Sequence, residues 1–225
     1  NRDRFLYKNK IENFQVLEID DVDFSDFYTS NSDLKRNNKK KLTFLSLELE
    51  RNFPSHLNGV SCIVDKDFDE FIDEIINNLY IFYTDYTCIE MYLFNIDSLK
   101  IFYKTVLRTF PITPRNTIVE LGEVLKEKFF IRLALKSANS VKDESTITDL
   151  KKSIAIDKRT GKIVFDFVSH LKKILHNNRL DKKLDEHLEL IQLYKDRCNS
   201  DIRNNIRGHD FIHLLYVYID KIKPV

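Results

Sequence analysis

Glycine and proline are scarce, with four of each in 225 residues. So few turn-formers argue against a loop-rich all-β fold and for long regular elements. Tryptophan is absent and methionine occurs once, beside abundant Lys, Asn and Ile. That bias reflects an AT-rich coding sequence and carries no functional signal. Cysteine is limited to Cys62, Cys88 and Cys198, an odd number in no metal-binding spacing. This is the pattern of a reduced, cytoplasmic protein, and Cys62, inside an apolar run, reads as a small core residue. An excess of either charge is missing too: 36 Lys and Arg stand against 35 Asp and Glu. Net charge therefore argues neither for nor against nucleic acid, and only local patches bear on it. No apolar stretch reaches the length of a membrane span, and there is no signal peptide. The sequence begins at Asn1 with no initiator Met, so its natural start is expected upstream.

What is present is ample core material. The apolar share is 43%, with 17 Phe and 10 Tyr, enough for one large domain or one domain with a helical appendage. The most informative stretch is Gly59-Val60-Ser61-Cys62-Ile63-Val64-Asp65-Lys66-Asp67-Phe68-Asp69. It reads as a buried strand whose carboxyl end carries alternating acids, where open α/β sheets place their ligands. On an extended backbone Asp65 and Asp67 project to the same side and repel each other unless a cation sits between them. Oxygen-only donors suit a hard ion such as Mg²⁺. The competing reading is a strand followed by a solvated turn, with Asp69 capping the next helix.

Along the chain, Arg4–Tyr7 reads as the start of a helix and Phe14–Asp20 alternates as a strand. Residues 42–53 have helical spacing, the acid-tipped strand comes next at about 60–65, and Phe68–Ile76 carries a helical stripe. Leu79–Tyr83 is a further strand, closing at Thr84-Asp85-Tyr86. This order implies βαβ crossovers and a mainly parallel sheet flanked by helices. Residues 87–137 read as mostly helical with a break at Pro111 and Pro114, and residues 138–162 as polar, with one strand candidate at Ser153–Ile156 and a turn at Arg159-Thr160-Gly161. Residues 163–177, 181–197 and 209–221 read as helices. The expected organisation is an α/β core over residues 1–95 and a mainly helical C-terminal region over 96–225 packed on it.

At these motifs the chain resembles the TOPRIM-like nucleases, which share their α/β module with topoisomerases, primases and OLD-type nucleases. Val64-Asp65-Lys66-Asp67 is similar to the family's Asp-x-Asp motif. Asn1-Arg2-Asp3-Arg4-Phe5-Leu6-Tyr7 is similar to the residues after Glu-Gly in the family's first motif, with Asp3 in the Asp position. On that alignment the first strand and its Glu lie immediately before Asn1. Tyr83-Thr84-Asp85-Tyr86 with Glu90-Met91-Tyr92-Leu93, and Arg207-Gly208-His209-Asp210 opening a late helix, narrow the likeness. They point to the bacterial branch that includes AriB-type effector nucleases of the PARIS anti-phage defence system, which are paired with an ABC-type ATPase. The likeness covers most of residues 1–95 and a short piece near 205–215. It implies an endonuclease dependent on Mg²⁺ or Mn²⁺, acting on RNA, with tRNA as the favoured target and growth arrest as the outcome. It further implies that Asp65, Asp67 and Asp3 hold the metal together with the upstream Glu. Two divalent ions held by carboxylates stabilise the attacking and leaving oxygens of a phosphodiester.

Each remaining residue has two readings. Asp69 is a ligand or a helix cap, and Lys66 reads as a surface lysine. Asp85 ends a second strand and either caps the next helix or orients the metal site, with Glu90 five residues on. Tyr80, Tyr83, Tyr86 and Tyr92 stack on bases or, more simply, belong to core and rim. Arg207–Asp210 braces a turn, or places Arg207 and His209 near a cleaved phosphate as charge stabiliser and proton donor. His213 lies one turn from His209, without a third zinc ligand. The basic run Lys35–Lys41 reads as a solvated loop or a phosphate-backbone contact. The rival to a nuclease is a degenerate, non-catalytic TOPRIM module docking on an ATPase; a homodimer stays open, and a membrane partner is not expected. A receiver-like domain is disfavoured, because no matching Lys lies on a late strand.

Overall fold

The computed structural model describes residues 15–24, 37–55, 59–139, 150 and 153–222. The fold is mixed α/β and divides into two units, Asn1–Lys66 with Asp73–Asp85, and Asp67–Ile72 with Tyr86–Val225.

In the first unit, helix α1 (Asn38–Asn52) starts where the Asn37 side chain accepts the Lys40 N–H at 3.0 Å. It packs on strands β1 (Cys62–Val64) and β2 (Ile81–Tyr83), which run parallel with Ile63 opposite Phe82. Cys62, Val64, Tyr80 and Ile81 are buried, as the apolar runs required. Asn78 links helix to sheet: its amide donates to Ser46 Oγ, and its carbonyl accepts the Tyr80 and Ile81 N–H groups, all at 2.9 Å.

Several expectations change here. The helix expected at Arg4–Tyr7 and the metal ligand expected at Asp3 fall outside the described residues, as do Phe14, Lys35 and Arg36. Gln15–Asp20 is not a strand; Ile19–Asp21 forms a 3₁₀ turn, closed by the Asp21 carboxylate on the Glu18 N–H at 3.1 Å. Lys39–Lys41 opens α1 instead of lying in a solvated loop: Lys41 is buried and paired with Asp20 at 2.7 Å. The Phe68–Ile76 helix does not form. Residues 67–73 make consecutive turns, bounded by left-handed backbone at Asp67 (φ 49°) and Asp73 (φ 55°). Two residues outside the right-handed region interrupt the ladder that the apolar spacing required. The βαβ crossover thus lacks its helix, and the expected larger parallel sheet is a two-stranded one among the described residues.

The second unit is built around α3 (Pro114–Ser137), which starts as expected at the proline break, with Thr113 as N-cap and Pro114 in the first turn. Before it come a 3₁₀ turn (Ile89–Leu93) and α2 (Ile96–Phe102), which continues as a π-helical turn at Tyr103–Leu107. After it come β3 (Ile154–Ile156), β4 (Ile163–Phe165), α4 (Phe167–Asn177), α5 (Leu184–Asp196) and α6 (Gly208–Ile222). α3 is buried over most of its circumference, between one cluster around Met91, Phe94, Phe211 and Tyr218 and another around Phe129, Phe130, Leu171 and Tyr194. Phe68 and Phe71 join the second cluster, with ring centroids 4.8 and 5.5 Å from Phe129. Burial in that cluster, not helix formation, is what the aromatic stripe serves.

Residues 163–177 are not one helix: β3 and β4 pair antiparallel, and Asp166 caps α4 by accepting the Ser169 N–H at 3.0 Å. The hairpin turns at Gly161, at φ 74°, whose carbonyl accepts the Tyr218 hydroxyl at 2.9 Å. A Cβ there would sit 2.3 Å from that hydroxyl oxygen and 2.9 Å from Ile112. Gly161→Ala is therefore expected to lower stability by about 1–3 kcal/mol in urea unfolding, from strain and overpacking together.

Candidate functional site

β1 and β2 end side by side, and their ladder continues one step past the strands. The Thr84 N–H donates to the Val64 carbonyl at 3.0 Å, and the Lys66 N–H to Thr84 Oγ1 at 3.2 Å. Parallel register therefore brings Asp65 and Asp85, each just beyond a strand, to one carboxyl edge. Asp65 is half-buried, Asp85 exposed and Thr84 buried. Lys66 is not a free surface lysine: its ammonium donates to the Asp85 carbonyl at 3.0 Å, and its own carbonyl accepts Lys39 Nζ at 3.3 Å. This edge offers two carboxylates, a hydroxyl and an ammonium, a donor set suited to a hard cation or a phosphate.

Asp67 does not continue the strand. The strand ends at Val64, and Asp67 adopts the left-handed conformation with its N–H on the Thr87 carbonyl at 2.7 Å. The same-face rule for residues i and i+2 needs an extended backbone, so it does not extend to Asp67. Asp69 is buried within the turn between Phe68 and Phe71, and with no helix there it caps none. Asp85 caps no helix either; the next element is the 3₁₀ turn at Ile89–Leu93, preceded by Cys88. Oxygen donors of this kind fit Mg²⁺ in chemistry, whereas their number falls short: among the described residues no three His, Cys, Asp or Glu side chains gather to hold a metal ion.

The tyrosines are occupied by the protein. Tyr80 is buried, its hydroxyl donating to the Phe53 carbonyl at 2.7 Å, and the Tyr83 hydroxyl accepts the Ile76 N–H at 3.0 Å. Tyr86 lies between Tyr92, edge-on at 5.0 Å, and the Arg203 guanidinium, 3.9 Å from its ring centroid. Arg203 also clamps Asp201 at 2.6 Å and holds that carboxyl below its usual range.

Arg207–Asp210 divides into two roles. Gly208 sits where a Cβ would fall 2.6 Å from both Cys88 Sγ and Glu90 Oε2. Its N–H points at Cys88 Sγ at 3.2 Å, and the Thr87 hydroxyl bonds the Ile206 carbonyl. Gly208→Ala is expected to separate α6 from the 3₁₀ turn and lower the melting temperature by several degrees, for a penalty of about 1–3 kcal/mol. His209 is exposed, with Nδ1 3.5 Å from Glu90 Oε1. Asp210 is buried. It accepts Arg132 Nε at 2.7 Å and Nη2 at 3.0 Å, and Lys128 Nζ lies 2.8 Å from Oδ1. The Lys128 contact is a buried ion pair. Burial pushes the Asp210 carboxyl up, but Lys128 and Arg132 outweigh it and hold the carboxyl below its ordinary range. Burial drives the Lys128 ammonium down, which Asp210 opposes and Arg132 reinforces.

Sequence reasoning missed Lys128 and Arg132. Their signal was present: two cations at i and i+4 in the run Lys128-Phe129-Phe130-Ile131-Arg132-Leu133-Ala134-Leu135, where a solvated face was not available. No protein family, curated protein or solved structure matches the chain.

Proposed function

We propose that the carboxyl edge of β1 and β2 is the metal-binding edge of a Mg²⁺-dependent endonuclease, TOPRIM-like in its motifs, that cleaves RNA, with tRNA favoured. The observation that carries this reading is the parallel register that brings Asp65 and Asp85 to one edge beside the Thr84 hydroxyl. Asp65 and Asp85 would hold the ion, with Asp67, Asp3 and Asp69 as further acids of the motif. A bound divalent ion would supply charge stabilisation for the phosphodiester oxygens. The chain's own part is to present fixed carboxylates, held by the strand ladder, and to anchor Lys66 across the edge through the Asp85 carbonyl. Toxicity in phage defence, in concert with an ABC-type ATPase, is the role that the motif likeness supports.

A second reading, a non-catalytic module docking on such an ATPase, is favoured by the absence of three converging ligands among the described residues. Calorimetric titration with Mg²⁺ and Mn²⁺, run beside cleavage assays on RNA and DNA, separates the two. The nuclease reading expects a divalent ion to bind and RNA cleavage to stop in EDTA. Absence of ion binding and of cleavage leaves the docking module.

A further inference from the structure

The C-terminal half of α4 and the turn after it concentrate positive charge that the chain has nowhere to spare. Residues 171–183 hold five Lys and Arg against Asp181 alone, a local net of +4 in a chain of net +1. Lys172, Lys173, Arg179 and Lys182 are exposed. Lys172, Lys173, His176 and Asp181 line an open surface cavity of about 370 Å³, floored by Leu175 and Leu184. Of the nearby acids, Asp181 Oδ1 meets His176 Nδ1 at 2.9 Å, Glu186 meets Lys183 at 3.6 Å and the charge of Lys172 acts on Asp166, while Asp185 opens the next helix as an exposed carboxylate.

Cations at a helix C-terminus stabilise the helix through its dipole, which is the purely structural account of this cluster. Arg179 argues against that account as sufficient. α4 ends in a Schellman motif, with Leu180 N–H on the Leu175 carbonyl at 2.8 Å and Arg179 N–H on the His176 carbonyl at 3.0 Å. Arg179 occupies its left-handed position at φ 59°, where glycine fits without strain. A long, exposed cation kept at a strained position, in the same stretch as the two lysines that line the cavity, is available to an external anion.

We propose that this surface docks the phosphate backbone of RNA. The choice of RNA rests on the endonuclease reading; the surface itself is tested without metal. The measurement is binding of a short fluorescein-labelled RNA in EDTA over a series of salt concentrations. Four phosphate contacts predict a slope of log K against log salt of about −3, at about −0.7 per contact. Lys172→Gln, Lys173→Gln, Arg179→Gly and Lys182→Gln together should flatten the slope and weaken binding on the order of tenfold or more. Arg179→Gly alone relieves backbone strain. It should leave the melting temperature equal or higher while lowering the slope by about 0.7, a split that a structural role would not produce. RNA affinity unchanged in the fourfold variant overturns the proposal, as does poly-glutamate binding as tightly as RNA. Because EDTA removes the metal, lost cleavage with retained RNA binding counts against the acid edge alone.

Discussion

Asp210→Ala is expected to remove about 3–5 kcal/mol of stability, the largest loss for a single substitution outside the aromatic clusters. The reason is what remains behind. Lys128 is fully buried and Arg132 nearly so, and both take their counter-charge from Asp210. Without that carboxylate two cations stay in an apolar helix interface with no solvent to screen them. Urea unfolding followed by circular dichroism checks the loss, and a change under about 1 kcal/mol would refute it. Lys128→Met, Arg132→Met and Asp210→Leu together should restore stability to near the starting value, because apolar side chains of similar volume replace charges that were expensive to desolvate. The pH dependence has a definite sign. An unfolded Asp titrates near 3.9, and the folded Asp210 lies below its ordinary value. Its contribution is therefore complete above about pH 4 and is lost as pH falls through the folded-state pKa. Asp210→Ala should lack that acid limb.

On the endonuclease reading proposed above, replacing Asp65 and Asp85 by Asn should lower Mg²⁺-dependent RNA cleavage by about 10²–10³-fold, the equivalent of several kcal/mol of lost charge stabilisation. Asn keeps the size and removes the charge, so the β1–β2 ladder, which uses backbone groups and Thr84, should persist. An unchanged melting curve with lost cleavage and lost calorimetric ion binding would place the effect in the metal edge. Cleavage at the parent rate in this double variant would remove both residues from the chemistry. Asp67→Asn provides the contrast: its left-handed turn conformation predicts a smaller effect than Asp65→Asn.

Legibility in the sequence tracked the range of the interactions. β1, β2, α1, α3, α5 and α6 were readable within a few residues, because each carries a local apolar pattern and a local stop or start signal, such as Thr113-Pro114 before α3. The Phe68–Ile76 helix was misread because its spacing is helical, while Phe68 and Phe71 are claimed by Phe129, Phe130 and Tyr194, far along the chain. Ile163–Phe165 reads as one piece with α4, since three apolar residues before a helix look like its first turn. The acid edge was partly legible: strand-ending acids at Asp65 and Asp85 stand out, but their adjacency depends on β1 pairing with β2 in parallel.

By itself the sequence determined the α/β character, the main apolar runs and the acids at strand ends. Those depend on composition and on neighbours within a turn or two. Tertiary structure alone decided that Asp67 leaves the strand geometry, that Lys41 and Lys66 serve the fold, and that Asp210 belongs to a buried ion cluster with Lys128 and Arg132. Burial and charge pairing are properties of three-dimensional neighbours separated by tens of residues, and a linear pattern holds no distance between them.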